Sequence, residues 1–209
     1  VLLIYTGGTI GMYKTNKGIL SPFDLDTLST QIPELITFDI DINAISIAQP
    51  IDSSNMSKEV WIQLAEIIEK EYNNYNGCVI LHGSDTMAYT ASALSFMLEN
   101  LNKPVILTGA QLPIGVRRTD AKENIITSIE IAAQGNIPEV CVYFEYRLMR
   151  GNRCIKANAE HFEAFTSMNY PPLVESGVHL NFNYPLLLRV NSNKKELILR
   201  KKLNNNIAI

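Results

Sequence analysis

Short apolar runs alternate with helical patterns from Val1 to Phe144, and this alternation constrains the fold more than any other feature. Most runs are bounded by Gly, Pro, Thr or another polar residue, and several are rich in Val and Ile, as strands buried on both faces are. Strands that alternate with helices form parallel sheets, so we expect an α/β domain with an open, mostly parallel sheet and helices on both faces. The five runs are Val1 to Tyr5, Ile45 to Ala48, Cys78 to Leu81, Val105 to Leu107 and Val140 to Phe144.

Three helical patterns lie between these runs. The first begins after Ser57, a favoured N-cap residue, and ends before Gly77. The second begins near Asp85 and keeps one apolar face as far as Leu101. The third begins near Thr119 and ends at Gly135.

Other segments depart from the alternation. Residues 10–30 show no clear period, and long loops in compact domains are usually functional, so we expect a lid there. Residues Arg147 to Lys156 indicate a hairpin around Arg150-Gly151-Asn152. We expect residues 1–190 to form the α/β domain and residues 191–209, which are basic and Asn-rich, to be a connector.

Composition excludes several classes of protein. The formal net charge of −3 disfavours a nucleic-acid binder, which needs a basic surface. No apolar run approaches the ~18 residues of a membrane span. The three cysteines contain no Cys-x-x-Cys pair and suit no closed disulfide framework, which favours a reducing compartment. With only three histidines in the chain, we expect no zinc site.

Polar side chains follow four of the predicted strands, at the point where each strand ends. Ligands bind beyond the carboxyl ends of the strands in parallel α/β sheets, so we expect these side chains to meet in one crevice. The four clusters are Thr6-Gly7-Gly8-Thr9, Asp52-Ser53-Ser54, His82-Gly83-Ser84-Asp85-Thr86 and Thr108-Gly109-Ala110-Gln111.

Three of these clusters also have a purely structural interpretation. The glycines before Thr9 form either a tight turn or a close backbone approach to a ligand, and the motif alone does not decide. One helix cap would explain one of the polar residues from Ser84 to Thr86, but not all three. Residues 52–54 fit either a turn or a binding site for a small zwitterion. In such a site the serine hydroxyls would hold the ligand's carboxylate, and the Asp52 carboxylate would hold its ammonium. Lys156 gains a role only if its amine reaches a hydroxyl, where it can act as a base.

Taken together, these clusters resemble the bacterial L-asparaginase family. The similarity covers nearly the whole chain, and the Asp-Ser-Ser and Met-Ala-Tyr-Thr variants are similar to the cytoplasmic (type I) branch. The motifs that carry it are Thr6-Gly7-Gly8-Thr9-Ile10, Asp52-Ser53-Ser54-x-Met56, His82 to Thr90, Thr108-Gly109-Ala110-Gln111, and Arg150-Gly151-Asn152-Arg153 followed by Lys156.

The resemblance implies an amidohydrolase that converts L-asparagine to L-aspartate and ammonia through a covalent acyl-enzyme, without metal or organic cofactor. It implies that Thr9 is the nucleophile and that Ser84, Asp85 and Lys156 form a second, hydroxyl–carboxylate–amine trio. It further implies a substrate pocket with these contacts: Ser53 and Asp85 for the α-carboxylate and α-ammonium, Ser54 and Asp52 in the lining, and Ala110 at the side-chain amide through its backbone.

The chain departs from the family pattern in three places. The family usually has Thr at the position of Ser84, and many members have a Tyr after a lid glycine where this chain has Gly18-Ile19-Leu20. The family also has a smaller C-terminal domain that completes the neighbouring subunit's site. We therefore expect the sequence to be part of a longer cytoplasmic protein that forms a homodimer or homotetramer.

Two other functions stay open at this stage. One is a related amidohydrolase that acts on glutamine or on a tRNA-linked glutamyl amide. The other is a non-catalytic module that binds amino acids. Sustained release of ammonia would separate the enzymes from the binding module.

Overall fold

One central sheet of eight strands organises the residues that the computed structural model describes, which are 1–11, 25–189 and 196–204. The strands are β1 Leu2–Gly7, β2 Asn43–Ile51, β3 Cys78–Leu81, β4 Leu98–Glu99, β5 Val105–Thr108, β6 Val140–Phe144, β7 Arg147–Arg150, β8 Ile155–Lys156, β9 Phe165–Thr166, β10 Val174–Ser176, β11 Leu180–Phe182 and β12 Ile198–Leu199. The helices are α1 Leu25–Gln31, α2 Lys58–Glu71, α3 Met87–Met97 and α4 Ala121–Gln134.

The sheet has the order β11-β10-β7-β6-β5-β3-β1-β2. Strands β2, β1, β3, β5 and β6 run parallel, while β7, β10 and β11 add an antiparallel edge. The expectation of a mostly parallel α/β sheet is therefore confirmed, and all five predicted strands are present. Strands β8 and β9 pair separately, as do β4 and β12.

Alternate residues of β1 divide the apolar core between the two faces of the sheet. Leu3 lies in one buried cluster with Ile125 and Ile129 of α4. Leu2 lies in the other with Leu64 of α2 and with residues of α3. Helices thus cover both faces, as the unbroken apolar strands predict.

The second predicted helix is shorter than its apolar pattern. Helix α3 ends at Met97, and Leu98–Glu99 pairs with Ile198–Leu199 from the far end of the chain. Asn100 then adopts a left-handed backbone (φ 64°), which ends the segment. Periodicity could not reveal this, because the pairing partner lies about a hundred residues away.

The predicted position of the hairpin is wrong. Strands β6 and β7 turn at Glu145 and Tyr146, which both have positive φ (43° and 66°). Gly151 instead begins a 3₁₀ turn, Gly151–Arg153, in which a Cβ would lie 2.8 Å from the Val140 carbonyl oxygen and 3.2 Å from Ala91 Cβ. Gly151 therefore allows close packing. The hairpin turn itself forms at Glu145 and Tyr146, where the sequence has neither Gly nor Asn.

Parts of two predicted segments lie outside the described residues. These are residues 12–24 of the expected lid, and residues 191–195 and 205–209 of the expected connector. The division into a domain and a connector stays a prediction. Within the described ranges, no helix combines the length and apolar character needed to cross a lipid bilayer.

Gly77 offers a direct test of the packing between α4 and the sheet. A Cβ at this position would lie 2.6 Å from the Ala132 carbonyl oxygen and 2.9 Å from Pro104 Cγ. Replacing Gly77 with Ala should lower the free energy of unfolding by about 1–3 kcal/mol, because backbone atoms must move. Urea unfolding of the intact protein measures this. Gly115→Ala is the matched control, since nothing lies within 4 Å of its Cβ position, and equal stability of the two variants would contradict the packing.

Candidate active site

The four predicted polar clusters lie at the carboxyl ends of β1, β2, β3 and β5. These strands are neighbours in the sheet and run in the same direction. The clusters therefore share one edge of the sheet, which is where ligands bind in folds of this kind.

Close contacts at three glycines join the clusters at this edge. A Cβ on Gly8 would lie 2.5 Å from Gly83 Cα, and one on Gly83 would lie 2.5 Å from Ser53 Oγ. A Cβ on Gly109 would lie 2.4 Å from the His82 carbonyl oxygen. The predicted convergence of the four clusters is confirmed by these contacts.

Thr9 follows two glycines with positive φ, Gly7 (115°) and Gly8 (86°), and begins the 3₁₀ turn Thr9–Gly11. Thr9 is half-buried. Thr9 comes directly after Gly8, and Ser84 comes directly after Gly83. The two hydroxyl residues therefore extend from backbones that touch each other.

The Lys156 amine contacts a hydroxyl, that of Ser84, which was the condition for it to act as a base. Its Nζ donates to Ser84 Oγ (2.9 Å) and to Asp85 Oδ1 (2.6 Å), from 72 and 71 residues along the chain. The Lys156 side chain is 15% exposed, whereas that of Asp85 is 66% exposed. The amine is thus held between a hydroxyl and a carboxylate, with the carboxylate open to solvent.

Ser53–Asn55 form a 3₁₀ turn after β2, and Asp52 is its N-cap. Ser53 is buried, and its carbonyl oxygen accepts a hydrogen bond from Thr86 Oγ1 (2.7 Å). Asp52 Oδ1 accepts from the amide and the hydroxyl of Ser54, both at 2.9 Å, and these bonds lower the pKa of the Asp52 carboxyl. The turn interpretation therefore holds locally, and Asp52 favours its charged form.

Ala110 is buried between two anchored residues. Asn124 Nδ2 donates to the Gly109 carbonyl oxygen (3.0 Å), and the Gln111 amide donates to both oxygens of Asp120 (3.1 and 2.9 Å). The backbone around Ala110 is therefore held from both sides by side chains at the start of α4.

Gln111 is the residue that sequence reasoning missed as an individual contributor. Its Oε1 accepts a hydrogen bond from Ser84 Oγ (3.3 Å), and its Nε2 donates to the carbonyl oxygens of Ala159 and His161 (both 3.0 Å). The side chain is a neutral amide, so no charge indicated a role for it in the sequence. The available signal was its place in the polar cluster after β5.

His82 belongs to a buried chain of hydrogen bonds. Nδ1 donates to the Gly83 carbonyl oxygen (2.7 Å), since a carbonyl can only accept. Nε2 then accepts from Thr90 Oγ1, which in turn accepts from Trp61 Nε1, both at 2.9 Å. The ring is neutral in this arrangement, and burial lowers the pKa of His82 to about 4. In the described parts of the chain, no group of three or more His, Cys, Asp or Glu side chains is placed to hold a metal ion.

The lowered pKa of His82 predicts a specific dependence of stability on pH. The ring binds a proton near pH 6.5 when the chain is unfolded but only near pH 4 when folded. Between these values the unfolded state binds more protons, so stability falls as the pH falls. From pH 7 to pH 5 the loss through His82 should be about 2 kcal/mol.

Urea unfolding at both pH values measures this loss, and NMR titration of the ring reports the pKa directly. His82→Gln should remove about 2 kcal/mol of the pH dependence, while the control His179→Gln, at an exposed histidine, should keep it. An unchanged pH dependence in His82→Gln, or a ring that titrates near 6.5 in the folded protein, would contradict the prediction.

Comparison with known proteins identifies the fold and the family. The family model for the N-terminal domain of asparaginase matches residues 1–188. L-asparaginase 1 of Escherichia coli K12 is 47% identical over 182 residues, which are 86% of this chain and 54% of that protein. The 60 kDa lysophospholipase of Mus musculus is 38% identical over 232 residues, covering 100% of this chain and 41% of that protein.

A solved structure gives the same result. L-asparaginase I of Vibrio cholerae superposes with a TM-score of 0.83 at 39% identity, over 95% of this chain and 60% of that one. The chain spans about half the length of the curated relatives it matches.

Proposed function

The chain belongs to the asparaginase family, and from this premise we propose that it hydrolyses L-asparagine to L-aspartate and ammonia. The observation that carries the proposal is the position of the Lys156 amine, which contacts both Ser84 Oγ and Asp85 Oδ1 beside the Thr9 turn. The location we propose is the cytoplasm, and the assembly is a homodimer or homotetramer of the intact protein.

Thr9 is the proposed nucleophile. Its hydroxyl oxygen bonds to the side-chain amide carbon of asparagine, the carbon–nitrogen bond breaks, and the nitrogen leaves as ammonia with the hydroxyl proton. Water then cleaves the resulting ester, which restores the hydroxyl and releases L-aspartate. We further propose that amides of the Gly8–Thr9 turn stabilise the negative charge that develops on the carbonyl oxygen.

Ser84, Asp85 and Lys156 are the proposed second trio. An amine in its neutral form accepts a proton from a hydroxyl or a water, and the contact between Nζ and Ser84 Oγ supports this role for Lys156. Asp85 orients the amine through its Oδ1.

The proposed substrate pocket binds both charged groups of an amino acid. Ser53 holds the α-carboxylate and Asp85 the α-ammonium, while Ser54 and Asp52 line the pocket. The backbone of Ala110 contacts the side-chain amide. The lowered pKa of Asp52 supports an anionic lining that suits an ammonium group.

The test of the reaction is an ammonia-release assay of the intact protein with L-asparagine and L-glutamine. Release that is faster from L-asparagine supports the proposal. Release only from L-glutamine would assign the chain to the alternative amidohydrolase. Binding of L-aspartate without release from either amide would make it a binding module.

Thr9→Ala should lower kcat for L-asparagine by at least about 10³-fold, because the attacking oxygen is lost. Thr9 lies in a turn, so the melting temperature should change little. Thr37→Ala is the matched control, since the Thr37 hydroxyl bonds to Glu34 on an exposed 3₁₀ segment. Turnover that survives in a normally folded Thr9→Ala protein would refute the nucleophile.

Lys156→Met should lower kcat by about 10²-fold or more, the usual contribution of a general base. Ser84→Thr should change kcat only modestly, by less than about 3-fold, because the hydroxyl is kept and the added methyl only restricts its rotamer. Steady-state kinetics measure both effects, with Lys70→Met on an exposed position of α2 as the control. Near-normal kcat in Lys156→Met would exclude the amine as the base.

A further inference from the structure

The Gln111 side chain links two parts of the site that are far apart in the sequence. It bonds to Ser84, which follows β3, and to Ala159 and His161, which follow Lys156 and β8. The main-chain amide of Gln111 is fixed by Asp120, a buried carboxylate that also accepts from the Leu112 amide (3.0 Å). A rigid backbone thus carries a side chain with three hydrogen bonds.

The partners of this side chain leave one orientation for its amide group. The oxygens of Ala159 and His161 can only accept hydrogen bonds, so the nitrogen of the amide must face them. The oxygen of the amide is therefore turned towards Ser84. If the amide were reversed, its oxygen would face the carbonyl oxygens of Ala159 and His161, and no hydrogen would lie between these three oxygens.

This orientation decides where the Ser84 proton points. As an ammonium, Lys156 can only donate, so Ser84 Oγ accepts from it and directs its own hydrogen to Gln111 Oε1. A threonine at this position would have its hydroxyl restrained by the β-methyl group, whereas serine rotates more freely. In this chain the hydrogen bond that Ser84 Oγ donates to Gln111 Oε1 supplies the restraint that the missing methyl would give.

The same side chain holds the segment that follows Lys156. Strand β8 has two residues and pairs with β9, and Ala157 and Asn158 donate to the Ala164 carbonyl oxygen (2.8 and 3.2 Å). Nε2 of Gln111 joins this loop at two carbonyls, three and five residues after the amine. The position of the amine and the orientation of the hydroxyl therefore depend on one residue.

We propose that Gln111 is a positioning residue that accepts the Ser84 hydrogen, so that a lone pair of Ser84 Oγ faces the Lys156 amine, and that also holds the 157–163 segment in place. The catalytic part of this inference rests on the proposed hydrolysis of L-asparagine. The structural part, the attachment of the segment, is independent of it.

The catalytic part is tested by a double-mutant cycle in the intact protein. Gln111→Met removes the amide and keeps the length of the side chain. It should lower kcat for L-asparagine about 10-fold when residue 84 is Ser, on the scale of one lost hydrogen bond. In the Ser84→Thr background the loss should shrink to about 3-fold or less, because the β-methyl then restrains the hydroxyl. KM should change less than about 2-fold in either background.

Gln134→Met at the exposed end of α4 controls for the exchange of side chains and should leave both kinetic constants unchanged. A merely structural role for Gln111 would lower the active fraction equally in both backgrounds. Equal losses of kcat, or no loss, would therefore overturn the orienting role.

Hydrogen exchange of the amides in residues 157–164 tests the structural part without any activity. Exchange should be faster in Gln111→Met than in the parent protein and in Gln134→Met. Unchanged exchange would overturn the inference, whatever the kinetics show. If the parent protein releases no ammonia while exchange becomes faster, the proposed function fails and the attachment of the segment stands.

Discussion

Direct backbone contact between turns at the carboxyl ends of β1, β3 and β5 is the constraint on which the site depends. Neighbouring strands lie about 4.8 Å apart, so the turns that follow them can touch only where no side chain intervenes. Gly8 against Gly83, and Gly109 against His82, meet this condition. The contact brings the residues after these glycines, including Thr9 and Ser84, to one place on the sheet edge.

Buried polar side chains at the start of α4 keep this edge rigid. Asn124 donates to the Gly109 carbonyl oxygen and accepts from the Glu145 amide (3.1 Å), which ties the turn after β5 to the hairpin after β6. Asp120 holds the next two amides, those of Gln111 and Leu112. Because each of these bonds is made in a buried or half-buried place, losing one partner would leave the other without compensation. The loops after two strands are therefore fixed by one helix.

The sequence allowed prediction of features that depend on local pattern. The apolar runs located the parallel strands, and Ser57 and Gly135 marked the ends of α2 and α4 correctly. The convergence of the polar clusters followed from the direction of the strands alone.

Features that depend on distant partners were not predicted. The end of α3 is set by pairing with Ile198–Leu199, and the hairpin turns at Glu145 and Tyr146, which carry no turn signal. The glycine that suggested the hairpin, Gly151, is required by packing against Val140 and Ala91 instead. The contacts of Gln111 join segments about fifty residues apart, and nothing in either segment alone indicates the pairing.

The geometry of Asp85 shows how one carboxylate can serve both roles proposed for it. A carboxylate can accept about four hydrogen bonds, and Lys156 donates one of these, to Oδ1. The Asp85 side chain is 66% exposed, so the remaining directions are open to solvent. An α-ammonium group bound there would share the carboxylate with the amine of Lys156. One carboxylate would thus bind the substrate next to Ser84, whose hydroxyl contacts the same amine.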